Sequence, residues 1–415
     1  MEIALNKESK RKSAVAVALR GDERTFGSDA LAVGVRFPQN CYFYLLDLVG
    51  KPFDHPAVKL YHERFPFYTL EADPERGTVL FRHDEETTYS PEELLGMLLT
   101  HAKGMAEDYT DQRPIRDVVL TVPAYFNQAE RRALSRAVEL AGLNLLQLIS
   151  EPMAVALNYG MFRRKEINGT TKHILFYDMG AYDTTVSIVG YNVVKTKERG
   201  FSETHPQAQI LGIGYDRTLG GLDLQIKLRE YLADKFNELK KPKTDVRKNG
   251  RAMAKLFKEA GRVKNVLSAN AQIFAQIENV MDDIDFKMEV TRETFLKLNE
   301  DYFERVLGPV QRAITASGMT IGEISEVILA GAGTRVPRVQ EILGEFLGAD
   351  RELGKNLNTD EAAAMGAVYK AADLSTGFKV SLFGLFHFLR FLKQKMRTCT
   401  FEIDFQTSWG ESDIS

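Results

Sequence analysis

Three glycine-bearing turns hold the residue types in this chain that could meet a phosphorylated ligand. In the turn that runs from Tyr177-Asp178-Met179-Gly180 to Thr185, an aspartate ends an apolar run beside a glycine. A carboxylate so placed could hold Mg²⁺ through water next to a phosphate. In Thr218-Leu219-Gly220-Gly221-Leu222-Asp223, two glycines open an amphipathic segment and would let a ligand approach the backbone closely. In Val327 to Leu343 an apolar run meets Gly331-Ala332-Gly333, and a helix is expected from near Arg335 with Pro337 in its first turn. Strand, glycine turn and helix start together present bare N–H groups and a positive helix end, which suits a phosphate or a ribose. Taken singly, each turn has a plainer reading: a hairpin with an aspartate turn residue, a glycine helix start, and an ordinary strand-to-helix connection.

The elements that must position these turns alternate between strand and helix, which argues for α/β layers. The first ninety residues read as short strands and turns. Ser90-Pro91-Glu92-Glu93 is a helix start with a capping box, and its helix should run to about Tyr109. Val118 to Val122 reads as a strand. Asn127 caps the next helix, Gly142 ends it, and Leu145 to Ile149 and Glu151 to Tyr159 follow as strand and short helix. Ile174 to Tyr177 and Val186 to Tyr191 flank the first turn as strands. Leu222 to Leu239 and Ala252 to Leu267 are long amphipathic helices joined by a polar, lysine-rich loop, Lys240 to Lys248. Ile273 to Val280 reads as a strand, Thr291 caps a helix, and Asp360 to Ala372 is the last helix. The strand–turn–helix units recur loosely in two halves, as two pseudo-equivalent lobes would produce.

Composition narrows the function classes. A chain of 415 residues can build two or more cores, and 44% hydrophobic with 27% charged residues is ordinary for a globular protein. A net charge of -3 gives no electrostatic case for nucleic acid or an acidic membrane. Two cysteines, Cys41 and Cys399, make no disulfide framework, and seven scattered histidines do not support a zinc site. The charged N-terminal residues do not form a signal peptide, and no stretch reaches the length of a membrane span. Asn168-Gly169-Thr170 is either a glycosylation sequon or a chance match in a surface loop. Leu382 to Leu392, dense in Phe and Leu, is read as an interfacial helix, a core-packing helix or a tail foreign to any domain.

The three turns, in this order, resemble the ATPase domain of the seventy-kilodalton heat-shock chaperones, with its actin-like fold. Leu120 to Leu134, Ile149-Ser150-Glu151-Pro152 and Asn356 to Ala372 carry the likeness further, and it covers nearly everything from Glu2 to about Lys379. Phe162 to Asn168, Phe176 to Gly180, Val194 to Glu198, Gly214 to Gly221, Val266 to Gln272 and Met281 to Lys287 resemble the large endoplasmic-reticulum branch of that family. The resemblance implies lobe I at 1–171, lobe II at 172–354, a return to lobe I at 355–379, and a tail at 380–415 outside the family. It implies an ATP/ADP pocket with Mg²⁺ between the lobes. Asp178 and Gly180 would face phosphate and metal, and Glu151 would hold a metal-bound water. Gly220 and Gly221 would line the phosphate and ribose side. Lys264 and Ser268 would meet ribose and adenine. Gly331, Ala332 and Arg335 would cover the adenosine, and Asp360 would close the far side. Pro123 and Arg131 fall where the family couples nucleotide state to the substrate-binding half.

Four departures from the family pattern lower the expected activity. The opening hairpin with its phosphate loop has no counterpart, since Met1 aligns just after it. Leu46 stands at the catalytic lysine position, and an apolar side chain cannot position water or offset charge on a γ-phosphate. Tyr182 and Asp183 replace a glycine and a threonine in the first turn, crowding the backbone and adding negative charge. Gly261 and Asn265 replace charged residues beside the adenine. The expectation is therefore an ATP-binding chaperone domain with weak or absent hydrolysis. It would act in protein folding and stress response in the endoplasmic reticulum lumen, as nucleotide-exchange partner of a conventional chaperone. Unfolded clients would be bound only if a C-terminal half exists. The alternatives are a pseudo-ATPase module that binds a partner chaperone without nucleotide, an incomplete product that folds poorly, and a sugar kinase on the same fold.

Overall fold

Among the described residues most strands pair with a neighbour in sequence, and the parallel pairing of Lys172–Met179 with Glu326–Ala330 is the long-range exception. The structure is a computed structural model that describes residues 2–198, 201–348 and 351–375. The Phe- and Leu-rich stretch at 382–392, the expected tail at 380–415 and Cys399 lie outside the described residues.

The N-terminal part forms a three-stranded antiparallel sheet from β1 (Ala16–Arg20), β2 (Glu23–Phe26) and β3 (Cys41–Phe43), with β1 in the centre and helix α1 (Gly27–Arg36) between β2 and β3. Helix α2 (Pro56–Arg64) and a second small sheet, β4 (Thr69–Ala72), β5 (Val79–Arg82) and β6 (Thr88–Tyr89), follow. Tyr42, Tyr61, Phe65, Tyr68 and Phe81 interlock in one aromatic core here.

Helix α3 (Pro91–Tyr109) begins with the expected capping box: Ser90 Oγ accepts from the Glu93 N–H, and Glu93 accepts from the Ser90 N–H. Strand β7 (Asp117–Val122), helix α4 (Gln128–Leu140) and strand β8 (Asn144–Ser150) form a parallel pair joined by one helix. Asn127 and Glu130 make the same reciprocal cap at the start of α4. Helix α5 (Glu151–Phe162) follows, with Pro152 in its first turn.

A five-stranded sheet holds the centre. β9 (Lys172–Met179), β10 (Thr184–Glu198) and β11 (Phe201–Asp216) run antiparallel, and β14 (Glu326–Ala330) and β15 (Leu353–Gly354) continue from β9 in parallel, in the order β11-β10-β9-β14-β15. Between β11 and β14 the chain forms helices α6 (Gly221–Lys240) and α7 (Gly250–Leu267) and the hairpin β12 (Gln272–Met281) and β13 (Ile284–Thr291). The short helices α8 (Arg292–Leu298), α9 (Glu300–Glu304) and α10 (Gly308–Ser317) complete that stretch. Helix α11 (Pro337–Leu347) joins β14 to β15, so β14–α11–β15 repeats the plan of β7–α4–β8. The last described helix, α12 (Ala362–Leu374), lies against α5 so closely that a Cβ on Gly366 would overlap the backbone of Ala154.

The expected mixed α/β architecture is what the structure shows, with some boundaries moved. The helix expected from near Arg335 starts at Pro337, because Ala332–Arg335 forms a tighter 3-10 turn first. The last helix starts at Ala362 and not at Asp360, whose side chain is engaged in ion pairs. Strand β11 has no counterpart among the expected elements. It carries Pro206, His205, Gly212 and Gly214, which blur any alternation, and as an edge strand it tolerates the proline. Gly212 and Gly214 let α10 approach, since a Cβ on Gly214 would stand 2.6 Å from the Ala313 nitrogen.

Candidate functional site

The register of β9 against β14 brings the first and third turns together. Ala330 lies opposite Asp178, so Gly331 emerges beside the Asp178 carboxylate. A Cβ on Gly331 would stand 2.5 Å from Asp178 Oδ1, and the residue has φ +75°, a setting that favours glycine. The second turn is seated on the first by backbone bonds. The Gly221 N–H donates to the Gly180 carbonyl at 3.0 Å and the Leu222 N–H to the Ala181 carbonyl at 2.8 Å. Thr184 Oγ1 donates to the Leu219 carbonyl at 2.6 Å. Gly220 has no room for a side chain, because a Cβ would lie 2.5 Å from the Ala181 oxygen.

Helix α7 adds Lys264. Its ammonium donates to the Gly221 carbonyl at 2.8 Å and to Gln225 Oε1 at 3.2 Å. Burial pushes its pKa down to about 8. Ser268 sits one turn further on, where its hydroxyl donates back to the Lys264 carbonyl at 3.2 Å. Gly261 leaves space that Gln225 fills: a Cβ there would meet Gln225 Nε2 at 2.8 Å.

Three carboxylates share the region behind the first turn. Burial, followed by the charges of Asp183 and Asp178, pushes Glu151 up to about 8. Burial and Asp183 push Asp178 up to about 7. Asp183 is itself raised by burial, although Thr185 and Tyr125 hydrogen-bond to it. Hard oxygen donors crowded together and resisting ionisation fit a divalent cation held through water. Among the described residues no three such groups converge closely enough to ligate a metal directly.

The adenosine-side candidates are tied to one another. The Gly331 N–H donates to the Thr359 carbonyl at 3.2 Å, and Thr334 Oγ1 donates to the Gly331 carbonyl at 2.7 Å across the turn that Ala332 opens. Arg335 Nη2 donates to Asp360 Oδ2 at 2.8 Å and to Thr359 Oγ1 at 3.0 Å. Lys12 Nζ also reaches Asp360, at 2.6 Å. Asp178, Gly180, Gly220, Gly221, Lys264 and Gly331 therefore form one contact network with Glu151 next to it. Arg335 and Asp360 pair with each other at its rim, and the Ser268 hydroxyl turns onto its own helix.

The ion pairs around this network escaped the sequence reading, although Leu46, Pro123 and Arg131 near them did not. Arg217 donates to the Tyr125 carbonyl at 2.9 Å and to Glu130 at 3.3 Å, and it stacks over the Tyr125 ring at 4.3 Å. Glu130 also forms a buried ion pair with Lys51. Arg64 of α2 pairs with Asp223 of α6, and Arg229 donates to the Arg64 carbonyl at 2.6 Å. Leu46 lies in the 3-10 turn Leu45–Asp47, against the aromatic core of the N-terminal sheets. Burial raises its neighbour Asp47 to about 7. Arg131 Nε donates to the Phe126 carbonyl at 2.9 Å, and the Phe126 N–H donates to the Pro123 carbonyl at 3.1 Å. No pattern of spacing announces the contacts of Lys51, Arg64, Arg217 and Arg229, because each joins separate elements, whereas the Arg131–Phe126 bond is local.

Comparison with known proteins extends the picture. The family model described as Hsp70 protein matches residues 1–388. The chain is 57% identical over 383 residues to Hypoxia up-regulated protein 1 of Danio rerio, covering 92% of this chain and 39% of that protein. It is 55% identical over 383 residues to the protein of that name from Xenopus laevis, covering 92% of this chain and 58% of the relative. Against the Homo sapiens protein the identity is 54% over 385 residues, covering 92% of this chain and 38% of the relative. The chain thus spans well under two thirds of the length of the curated relatives it matches.

Proposed function

The chain belongs to the Hsp70 family, and from that premise we propose that it is an adenine-nucleotide-binding chaperone domain with weak or absent hydrolysis. In this reading 1–171 and 355–379 make one lobe of an actin-like ATPase fold and 172–354 the other. The observation that carries it is the single contact network linking Asp178, Gly180, Gly221, Lys264 and Gly331.

Asp178 and Glu151 would hold Mg²⁺ through water, and its charge would favour ionising two carboxyls whose pKa values are raised first by burial and then by the nearby Asp183 charge. The bare backbone at Gly180, Gly220 and Gly221 would receive phosphate. Lys264 would bring its ammonium to the ribose side, and Ser268 would reach adenine after turning its hydroxyl outward. Gly331, Ala332 and Arg335 would cover the adenosine, with Asp360 orienting the guanidinium. Slow chemistry follows from the cations nearby. Lys51, Arg64 and Arg217 are engaged by Glu130 and Asp223, and Leu46 offers no charge. The working context is the endoplasmic reticulum lumen under folding stress. There the domain would serve a conventional chaperone as its nucleotide-exchange partner, and would reach unfolded clients only in a chain that also carries a client-binding half.

One observation favours a second reading, a nucleotide-free interaction module. Tyr182 of the first turn packs edge-on against Tyr44, and in this reading its ring would narrow the approach to the phosphate turns. Calorimetry with Mg·ATP and Mg·ADP separates the two. Saturable heat that is lost in Lys264→Ala and Asp178→Asn supports the nucleotide-binding reading. Absence of saturable heat in the wild-type chain overturns it in favour of the second.

A further inference from the structure

A cavity of about 680 Å³ lies between α1, the end of β3, and helices α6 and α7. Its size is that of a small-molecule pocket. Phe43, Tyr44, Phe67, Phe257, Tyr182 and Leu31 supply its apolar walls. Leu31 remains 41% exposed, and Phe67 and Phe257 are only half-buried, so part of this apolar lining stays open. Phe43 and Phe257 lie nearly parallel, 13° apart with centroids at 6.2 Å, and both line the cavity.

The charge of the lining is one-sided. No aspartate or glutamate contributes to it, whereas Lys258 and Arg229 both do. Arg229 is committed to Glu230 and to the Arg64 carbonyl. Lys258 is exposed on α7, next to Phe257, and gives the mouth its positive charge. Apolar rings with one cation at the rim match a flat aromatic ligand that carries an anionic group.

We propose that this cavity is a binding site for amphipathic aromatic anions that adjoins the first glycine turn, whose Ala181 and Tyr182 form one of its walls. Because the Leu222 N–H is bonded to the Ala181 carbonyl, an occupant resting on Tyr182 would also bear on the turn that seats Gly221. This goes beyond the nucleotide reading and does not depend on it.

The test is a titration of the full chain with 1-anilinonaphthalene-8-sulfonate, followed by fluorescence, with and without saturating Mg·ADP. The expected result is saturable, blue-shifted fluorescence at one site. Leu31→Trp, which fills the hollow with an apolar side chain, should abolish it. Lys258→Glu, at an exposed position that leaves the fold intact, should weaken it about five- to tenfold. Melting curves should show the probe stabilising the wild type and not Leu31→Trp. Saturable binding unchanged in both variants, or no binding to the folded wild type, would overturn the proposal. Stoichiometric displacement of the probe by Mg·ADP would also overturn it, by showing one shared nucleotide site. Absence of nucleotide binding with intact probe binding would instead sink only the nucleotide reading.

Discussion

Tyr182 sets its ring edge-on to Tyr44, with centroids 5.2 Å apart and planes at 83°. The contact joins the first glycine turn to the segment that leads into Leu46. Tyr44 holds a left-handed backbone, φ +55°, which is uncommon for an aromatic residue. Where the family resemblance implies a bare glycine, this chain has a ring in contact with Tyr44.

Tyr182→Gly should therefore open the phosphate turn. Mg·ADP affinity is expected to rise by about tenfold or more in calorimetry. Loss of the Tyr44 contact should lower stability by about 1–2 kcal/mol, read from a melting curve. Unchanged affinity would mean that the ring does not obstruct the turn.

The buried carboxylates make stability depend on pH. Glu151 and Asp178 are raised to about 8 and about 7, above unfolded values of about 4. The folded state therefore binds protons more tightly between those limits, and stability should fall as pH rises from about 5 to about 8. MgCl₂ should offset that loss, with a larger gain in melting temperature at pH 8 than at pH 6. An equal gain at both pH values would argue against a cation among these carboxylates.

Gly331→Ala should be poorly tolerated. The new methyl would meet Met179 and Asp178 at a positive φ. A loss of about 2–4 kcal/mol is expected in urea unfolding. A loss below about 1 kcal/mol would show that β14 can slide away from Asp178.

Glu130 caps α4, pairs with buried Lys51 and receives Arg217. Glu130→Ala should destabilise by about 3–5 kcal/mol, since it strands a buried ammonium. Lys51→Met should cost less, because Arg217 still serves the carboxylate. The order of the two denaturation midpoints checks the assignment.

Leu46→Lys returns a cation to the turn before Asp47. Single-turnover phosphate release with Mg·ATP should rise by about tenfold or more over the wild type. No gain, in a variant that still binds nucleotide, would place the catalytic deficit elsewhere.

Helix starts were the most legible part of the chain. The Ser90–Glu93 and Asn127–Glu130 caps are local, with donor and acceptor three residues apart, and both form as their spacing requires. The apolar face of α11 is equally plain, with Val339 and Leu343 buried as their periodicity demands. Strand β11 was not legible, because its pairing partner β10, and not its own pattern, makes it a strand. Ser268 follows Lys264 by four residues, at the end of α7, and its hydroxyl direction depends on rotamer choice, which spacing does not reveal.

The sequence by itself determined the three glycine turns, their order and the acids beside them, because backbone freedom and side-chain chemistry belong to single residues. It also carried the apolar Leu46 and the bulky Tyr182 that the family resemblance sets where a cation and a small residue are expected. Only the tertiary structure decided that Asp178 faces Gly331, that Gly221 leans on Gly180, and that Tyr182 meets Tyr44. Those relations arise from the parallel register of β9 on β14 and from the packing of α6 and α7 over the first turn. Register is a cooperative property of a whole sheet, chosen by which faces are buried, so no local window of residues contains it.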